Sequence, residues 1–313
     1  MTHQAQRMVT LAGASWSFDR ASKHMKELCG WSVSDKKIRQ VCQERSNLMA
    51  EWERQNPQAH QSFRGAHGEV EFCTDGTMVN TTEGWREMRL GIFAKRPRGA
   101  PATPQEWNRR KLPETTARVA FAAIETSERF GRRWSRWLDR LGINDTSKLT
   151  VLADGVRWIW EESALHLAGA SEVLDIFHAV EQVASAAQKI YGEGTNAAQG
   201  WTEQTREKLL GEGWSGVETH LRETKKSVRK AAGRAALKKL GTYLGRQPEH
   251  LQYAQRLAEG RSIGSGQAEG ACRHMIARRL KNGGRWKVRG VNRMANLCAT
   301  IYSDHWDSYW KSA

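Results

Sequence analysis

Three acidic residues sit in settings suited to phosphodiester chemistry. Asp75 lies in Thr74-Asp75-Gly76-Thr77, Asp154 in Val151-Leu152-Ala153-Asp154-Gly155, and Glu269 in Gly264-Ser265-Gly266-Gln267-Ala268-Glu269. Each Asp ends a short β-like run and precedes glycine; the Glu opens a basic helix. A carboxylate at the C-terminal end of a strand faces the crevice where α/β folds place their sites, and glycine leaves room for metal and phosphate. Two Asp and one Glu can hold two Mg²⁺ (or Mn²⁺) ions roughly 4 Å apart, the arrangement that activates water or a 3′-hydroxyl and stabilises the leaving oxygen. Taken singly, an Asp-Gly pair is also an ordinary turn. Glu269 also fits a surface ion pair with Arg273, four residues on. Gly264-x-Gly266 is no phosphate loop, because no Gly-Lys-Ser/Thr follows.

A fourth candidate is Asp175-Ile176-Phe177-His178, at a strand-to-helix transition. His178 there can bond a phosphate or hold a carboxylate, or simply bond locally at the helix start.

The wider composition points to a polyanion. The 313 residues carry a net charge of +15, with a pI near 9.9, which implies nucleic acid as partner. Basic residues cluster from Lys225 to Lys239 and again after Glu269, where Arg273, Arg278, Arg279, Lys281 and Arg285 follow the candidate ligand. Such runs are usually solvated helix faces; next to a metal ligand they also suit phosphate tracking, with steep salt dependence. Five scattered cysteines without a C-x-x-C pair argue against a disulfide framework or zinc module. No apolar run approaches the roughly 18 residues of a membrane span, and no signal-peptide layout opens the chain, so a cytoplasmic, nucleoid-associated protein is expected. The 14 Trp residues are read as core or groove-wall aromatics, with a few stacking on bases.

These residues need elements to position them. Residues 1–65 read as helical, with Ser17 and Ser34 as N-caps and Gly30 between two helices. Helix, short turn, basic helix is helix-turn-helix grammar, with Lys36, Lys37 and Arg39 facing DNA; a plain helical hairpin fits equally. Strands are expected at Glu69–Cys73, Trp85–Lys95, Arg118–Ile124, Leu149–Ala153 and Val173–Phe177, with an amphipathic helix over Glu125–Leu141. That order gives a mixed α/β sheet suited to a ribonuclease-H-like core over 66–180. Residues 181–260 read as an all-helical insertion. Residues 261–313 supply the Glu269 helix, a loop at Asn282-Gly283-Gly284-Arg285, and an aromatic ending.

Several motifs in order resemble a known family. Asp75-Gly76-Thr77 with Trp85-Arg86-Glu87, Asp154-Gly155-x-x-Trp158-Ile159-Trp160, Leu174-Asp175-x-x-His178, Ile263-Gly264-Ser265-Gly266-x-x-Glu269-x-x-Cys272-x-His274 and Trp306-Asp307-x-Tyr309-Trp310 are similar to bacterial insertion-sequence transposases of the ISKra type, relatives of the Mutator-like DDE superfamily. The resemblance covers nearly the whole chain. It implies a ribonuclease-H-like fold split by an all-helical insert. It implies Asp75, Asp154 and Glu269 as a catalytic, two-Mg²⁺ triad, and Asp175 and His178 as the superfamily's (C/D)-x-x-H motif assisting beside it. The implied reaction is nicking at transposon ends, then attack of the freed 3′-hydroxyl on target double-stranded DNA, by at least a dimer. Family members are often longer at the N-terminus, with a cysteine-containing segment; this chain starts near the helical region, which bears on end recognition. The competing expectations are a non-catalytic DNA binder derived from a transposase and a ribonuclease-H-like nuclease or resolvase.

Overall fold

Alternation in Met88, Leu90 and Ile92 places three wholly buried side chains on one face of a strand, while Phe93 faces the other side. Each such burial contributes about 1.5–3 kcal/mol. Both faces of this strand therefore need a cover, and the fold supplies two. The computed structural model describes residues 1–281 and 284–312; Asn282 and Gly283 of the expected glycine loop lie outside them.

The sheet has five strands: β1 (Glu69–Thr81), β2 (Gly84–Arg96), β3 (Ala117–Ala123), β4 (Leu149–Ala153) and β5 (Ser171–Leu174). Their order is β3-β2-β1-β4-β5. The β1–β2 and β2–β3 pairs are antiparallel, and β1–β4 and β4–β5 are parallel. This mixed sheet with many helices is consistent with a ribonuclease-H-like core.

On one face, Phe72, Phe93 and Phe121 pack with Phe130 and Trp134 of α5 (Ser127–Leu141). On the other, Met88, Leu90 and Ile92 meet α13 (Val288–Tyr302) and three N-terminal helices: α1 (His3–Ser15), α2 (Phe18–Cys29) and α3 (Asp35–Gln55). Ser17 and Ser34 cap α2 and α3 by accepting from Arg20 N–H and Lys37 N–H, and Gly30 ends α2 in the left-handed region. A short α4 (Gln61–Gly65) leads into β1.

Helix α6 (Arg157–His166) follows β4. Beyond β5 come α7 (Ile176–Tyr191), α8 (Asn196–Ser227), α9 (Ala231–Leu244) and α10 (Tyr253–Ala258). Gly213, at φ 60°, interrupts α8. Tyr253 Oη donates to the Leu174 carbonyl at 2.7 Å, fixing this helical part to β5. The chain then returns as α11 (Gly266–Ala271), a π-helical turn (Cys272–Ala277) and α12 (Arg278–Leu280), and closes with α13 and α14 (Trp306–Ser312).

Two expected boundaries move. β1 does not end at Asp75; it runs on to Thr81 because Asp75 pairs with Leu90 in the long hairpin with β2. β5 ends at Leu174, because Asp175 accepts from Phe177 and His178 N–H and so starts a helix where strand was expected. Among the described residues, no helix is long and apolar enough to cross a membrane.

Candidate active site

The parallel ladders decide where the acids fall. β1 and β4 pair up to Thr74↔Ala153, and β4 and β5 up to Ala153↔Leu174. The next residue on each of the three strands is an aspartate: Asp75, Asp154 and Asp175. They form a row where the parallel pairing stops, just past the C-terminal ends of β4 and β5 and midway along β1, the side on which α/β sheets place their sites.

Asp75 and Asp154 are half-buried. Asp75 Oδ1 accepts from Gly76 N–H at 2.6 Å, and Asp154 Oδ1 accepts from Val156 N–H at 3.1 Å. Burial pushes both carboxyls above the usual range, and the charge of Asp75 pushes Asp154 up further. His178 pulls both back down. Desolvation plus like-charge repulsion is the signature of a site short of positive charge.

Asp175 differs. It is 2% exposed and caps α7 through Oδ1. Its Oδ2 accepts from both the backbone N–H and the hydroxyl of Ser265. Four donors occupy this carboxylate, so its lone pairs go to the scaffold. It is a positioning residue that ties the end of β5 to the start of α11.

Glu269 is exposed on α11, and among the described residues it forms no ion pair with Arg273. One turn further, Cys272 donates its Sγ–H to Asp75 Oδ2 at 3.7 Å. Burial, then the Asp75 charge, pushes this thiol up to about 12, so it stays a neutral donor. Residues three apart share a helix face; Glu269 therefore stands on the face that Cys272 applies to Asp75. The π-helical turn begins at this cysteine, a distortion frequent at functional sites. His178 is partly exposed, with Nδ1 3.5 Å from Glu181 Oε2.

The three expected ligands do not close on one another. Among the described residues, only Glu53, His60 and His305 bring three ligand atoms within 4.8 Å.

The basic residues divide. Lys36, Lys37 and Arg39 are exposed along α3, with Arg39 over the Phe18 ring at 5.3 Å. Arg273, Arg278, Lys281 and Arg285 are exposed, and Lys281 Nζ donates to Thr77 Oγ1 on β1. Arg279 is a correction to the expected DNA-facing set. It is 6% exposed, donates to the Gly13 carbonyl at 2.7 Å, and lies between the Phe18 and Trp286 rings. Its helix face points inward, onto α1.

A family model described as uncharacterised protein family UPF0236 matches residues 4–307. The chain belongs to this family. A comparison with curated proteins gives no match.

Two site residues escape sequence reasoning. Tyr243, from α9, accepts from Gly155 N–H at 3.2 Å, and burial and the Asp154 charge push its phenol up to about 12. Nothing around Tyr243 in the sequence signals that role. Ser265 carried a weak signal, standing just before a helix, yet its partner is 90 residues away.

The donor set suits a hard divalent cation. Asp75 and Asp154 offer carboxylate oxygens from half-buried positions on neighbouring parallel strands, with the His178 charge the one that favours their ionised forms in both.

Proposed function

We propose that the chain is a DNA transposase of an insertion sequence, with a ribonuclease-H-like core, an all-helical insertion over 181–260 and a helix-turn-helix-like N-terminal region. The observation that carries this reading is the row of Asp75 and Asp154 on adjacent parallel strands, with the Glu269 helix tethered beside them by Asp175–Ser265 and Cys272–Asp75.

Asp75 and Asp154 would hold two Mg²⁺ ions, with Glu269 completing the set. Bound there, the ions supply Lewis-acid activation of the nucleophile and charge stabilisation of the leaving oxygen. Asp75 and Asp154 bind from a fixed, part-desolvated strand edge, which limits reorganisation. Glu269, exposed on α11, would close on the two aspartates when DNA and metal enter. Cys272 keeps that helix registered on Asp75. His178, beside both aspartates, orients them or meets a phosphate. In the first step water adds to phosphorus and the bond to the 3′-oxygen breaks, leaving a 3′-hydroxyl and a 5′-phosphate. In the second the 3′-hydroxyl attacks a target phosphodiester and displaces its 3′-oxygen.

Charge supports double-stranded DNA as partner: Lys36, Lys37 and Arg39 on α3 would engage transposon ends, and Arg273, Arg278, Lys281 and Arg285 the strand entering the site. Two ends require at least a dimer. The open position of Glu269 favours completion of the site within such an assembly.

The test uses purified protein, Mg²⁺ and DNA carrying the sequences that flank its own gene. Nicking with joining to target supports the transposase. Cleavage without joining marks a nuclease or resolvase; binding without cleavage marks a non-catalytic binder.

A further inference from the structure

Away from the aspartate row, three other potential ligands meet. Glu53 comes from the last turns of α3, His60 from the turn before α4, and His305 from the link between α13 and α14. These are not the elements that carry Asp75, Asp154 and Glu269. Their ligand atoms all lie within 4.8 Å of one another.

Both imidazoles are 2% exposed. Neither ring nitrogen of His60 has a hydrogen-bond partner, and His305 Nδ1 has only the Glu53 carboxylate, 3.4 Å away without hydrogen-bond geometry. Burying imidazole nitrogens without replacing their water is unfavourable, and two facing rings doubly so. The rings are walled in: Trp137 packs edge-on to His60 at 5.2 Å and Trp52 to His305 at 6.3 Å. The chain is also built to aim His305 inward. Asp304 takes φ 57° at the end of α13, and His305 N–H bonds back to the Thr300 carbonyl in a Schellman-type cap.

We propose that Glu53, His60 and His305 bind one zinc-type transition-metal ion that staples the N-terminal helices to the C-terminal helix pair. Zinc with bonds of roughly 2.0–2.1 Å holds tetrahedral ligands roughly 3.4 Å apart. His305 Nδ1 and Glu53 Oε1 already stand 3.4 Å apart. The His60 ligand atom lies within 4.8 Å of both. Two imidazoles and one carboxylate are borderline ligands that favour zinc over Mg²⁺.

The experiment measures metal content of the full chain by mass spectrometry, then titrates the metal-free protein with Zn²⁺ and with Co²⁺. One zinc per chain is expected, with a visible Co²⁺ d–d band and a zinc-edge absorption pattern showing two imidazoles. Chelation should lower Tm by roughly 5 °C. The Asp75→Asn/Asp154→Asn double variant should keep the zinc. His305→Asn should lose it. If that variant fails to fold, Glu53→Gln, whose side chain is 20% exposed, should weaken Zn²⁺ binding at least tenfold. Zinc uptake equal in wild type and Glu53→Gln, or an absorption pattern without imidazole, overturns the proposal.

Discussion

Asp175 and Ser265 are joined twice: one carboxylate oxygen of Asp175 accepts both the backbone N–H and the hydroxyl of Ser265. The acid that caps α7 thereby fixes the start of the helix carrying Glu269. Removing it should act on stability and on the site together. Asp175→Ala should cost about 2–4 kcal/mol, from the lost cap and the unpaired Ser265 donors. Ser265→Ala, which keeps the backbone bond, should cost less while lowering Mg²⁺-dependent nicking roughly 10–100-fold. Urea unfolding and a nicking assay check both. Full activity in Ser265→Ala would make the clamp irrelevant to the site.

Asp75 and Asp154 are held above the usual carboxyl range by burial. A folded value above the unfolded one means that the native state binds more protons between the two, so stability falls as pH rises through that window. Without metal, the protein should lose stability as pH climbs above about 4, and added Mg²⁺ should restore it. Asp75→Asn or Asp154→Asn should therefore raise the metal-free Tm at pH 7 while cutting nicking roughly 10³-fold or more. Thermal melts across pH, with and without Mg²⁺, read the sign. A Tm lowered by both substitutions would refute the electrostatic account.

Glu269 is exposed and has no stabilising partner among the described residues. Glu269→Gln should leave stability within about 0.5 kcal/mol of wild type and still abolish nicking. Retained turnover would remove it from the metal set.

Gly155 has no room for a side chain: a Cβ would sit 2.3 Å from the Tyr243 ring. Gly155→Ala should displace Tyr243 and disturb the Asp154 turn, lowering nicking. Pairing it with Tyr243→Ala should restore part of the loss. A double variant no better than the single would mean that the contact does not carry the effect.

Arg279 and Arg273 separate structure from DNA binding. Arg279→Ala should cost about 2–3 kcal/mol, through the lost Gly13 bond and two cation–π contacts. Arg273→Ala should barely change stability, but should flatten the salt dependence of DNA binding by a slope of about 1. Urea melts and binding titrations at several salt concentrations distinguish them.

Local chemistry was legible in the sequence. Ser17, Ser34 and Gly30 bound helices because caps and left-handed glycines act within a few residues. The alternation of Met88, Leu90 and Ile92 marked a strand for the same reason. What lay beyond reach were pairings between distant segments. No local pattern says that Asp75 continues in a strand opposite Leu90, that Asp175 would give its oxygens to Ser265, that Arg279 turns inward between two rings, or that His60 and His305 share a pocket. Propensity and capping are properties of neighbouring residues, so the sequence by itself determined the elements and named the acids. Register and packing are settled only when the whole core closes, and that closure placed Asp75 beside Asp154, buried Arg279, and brought Glu53 to two histidines.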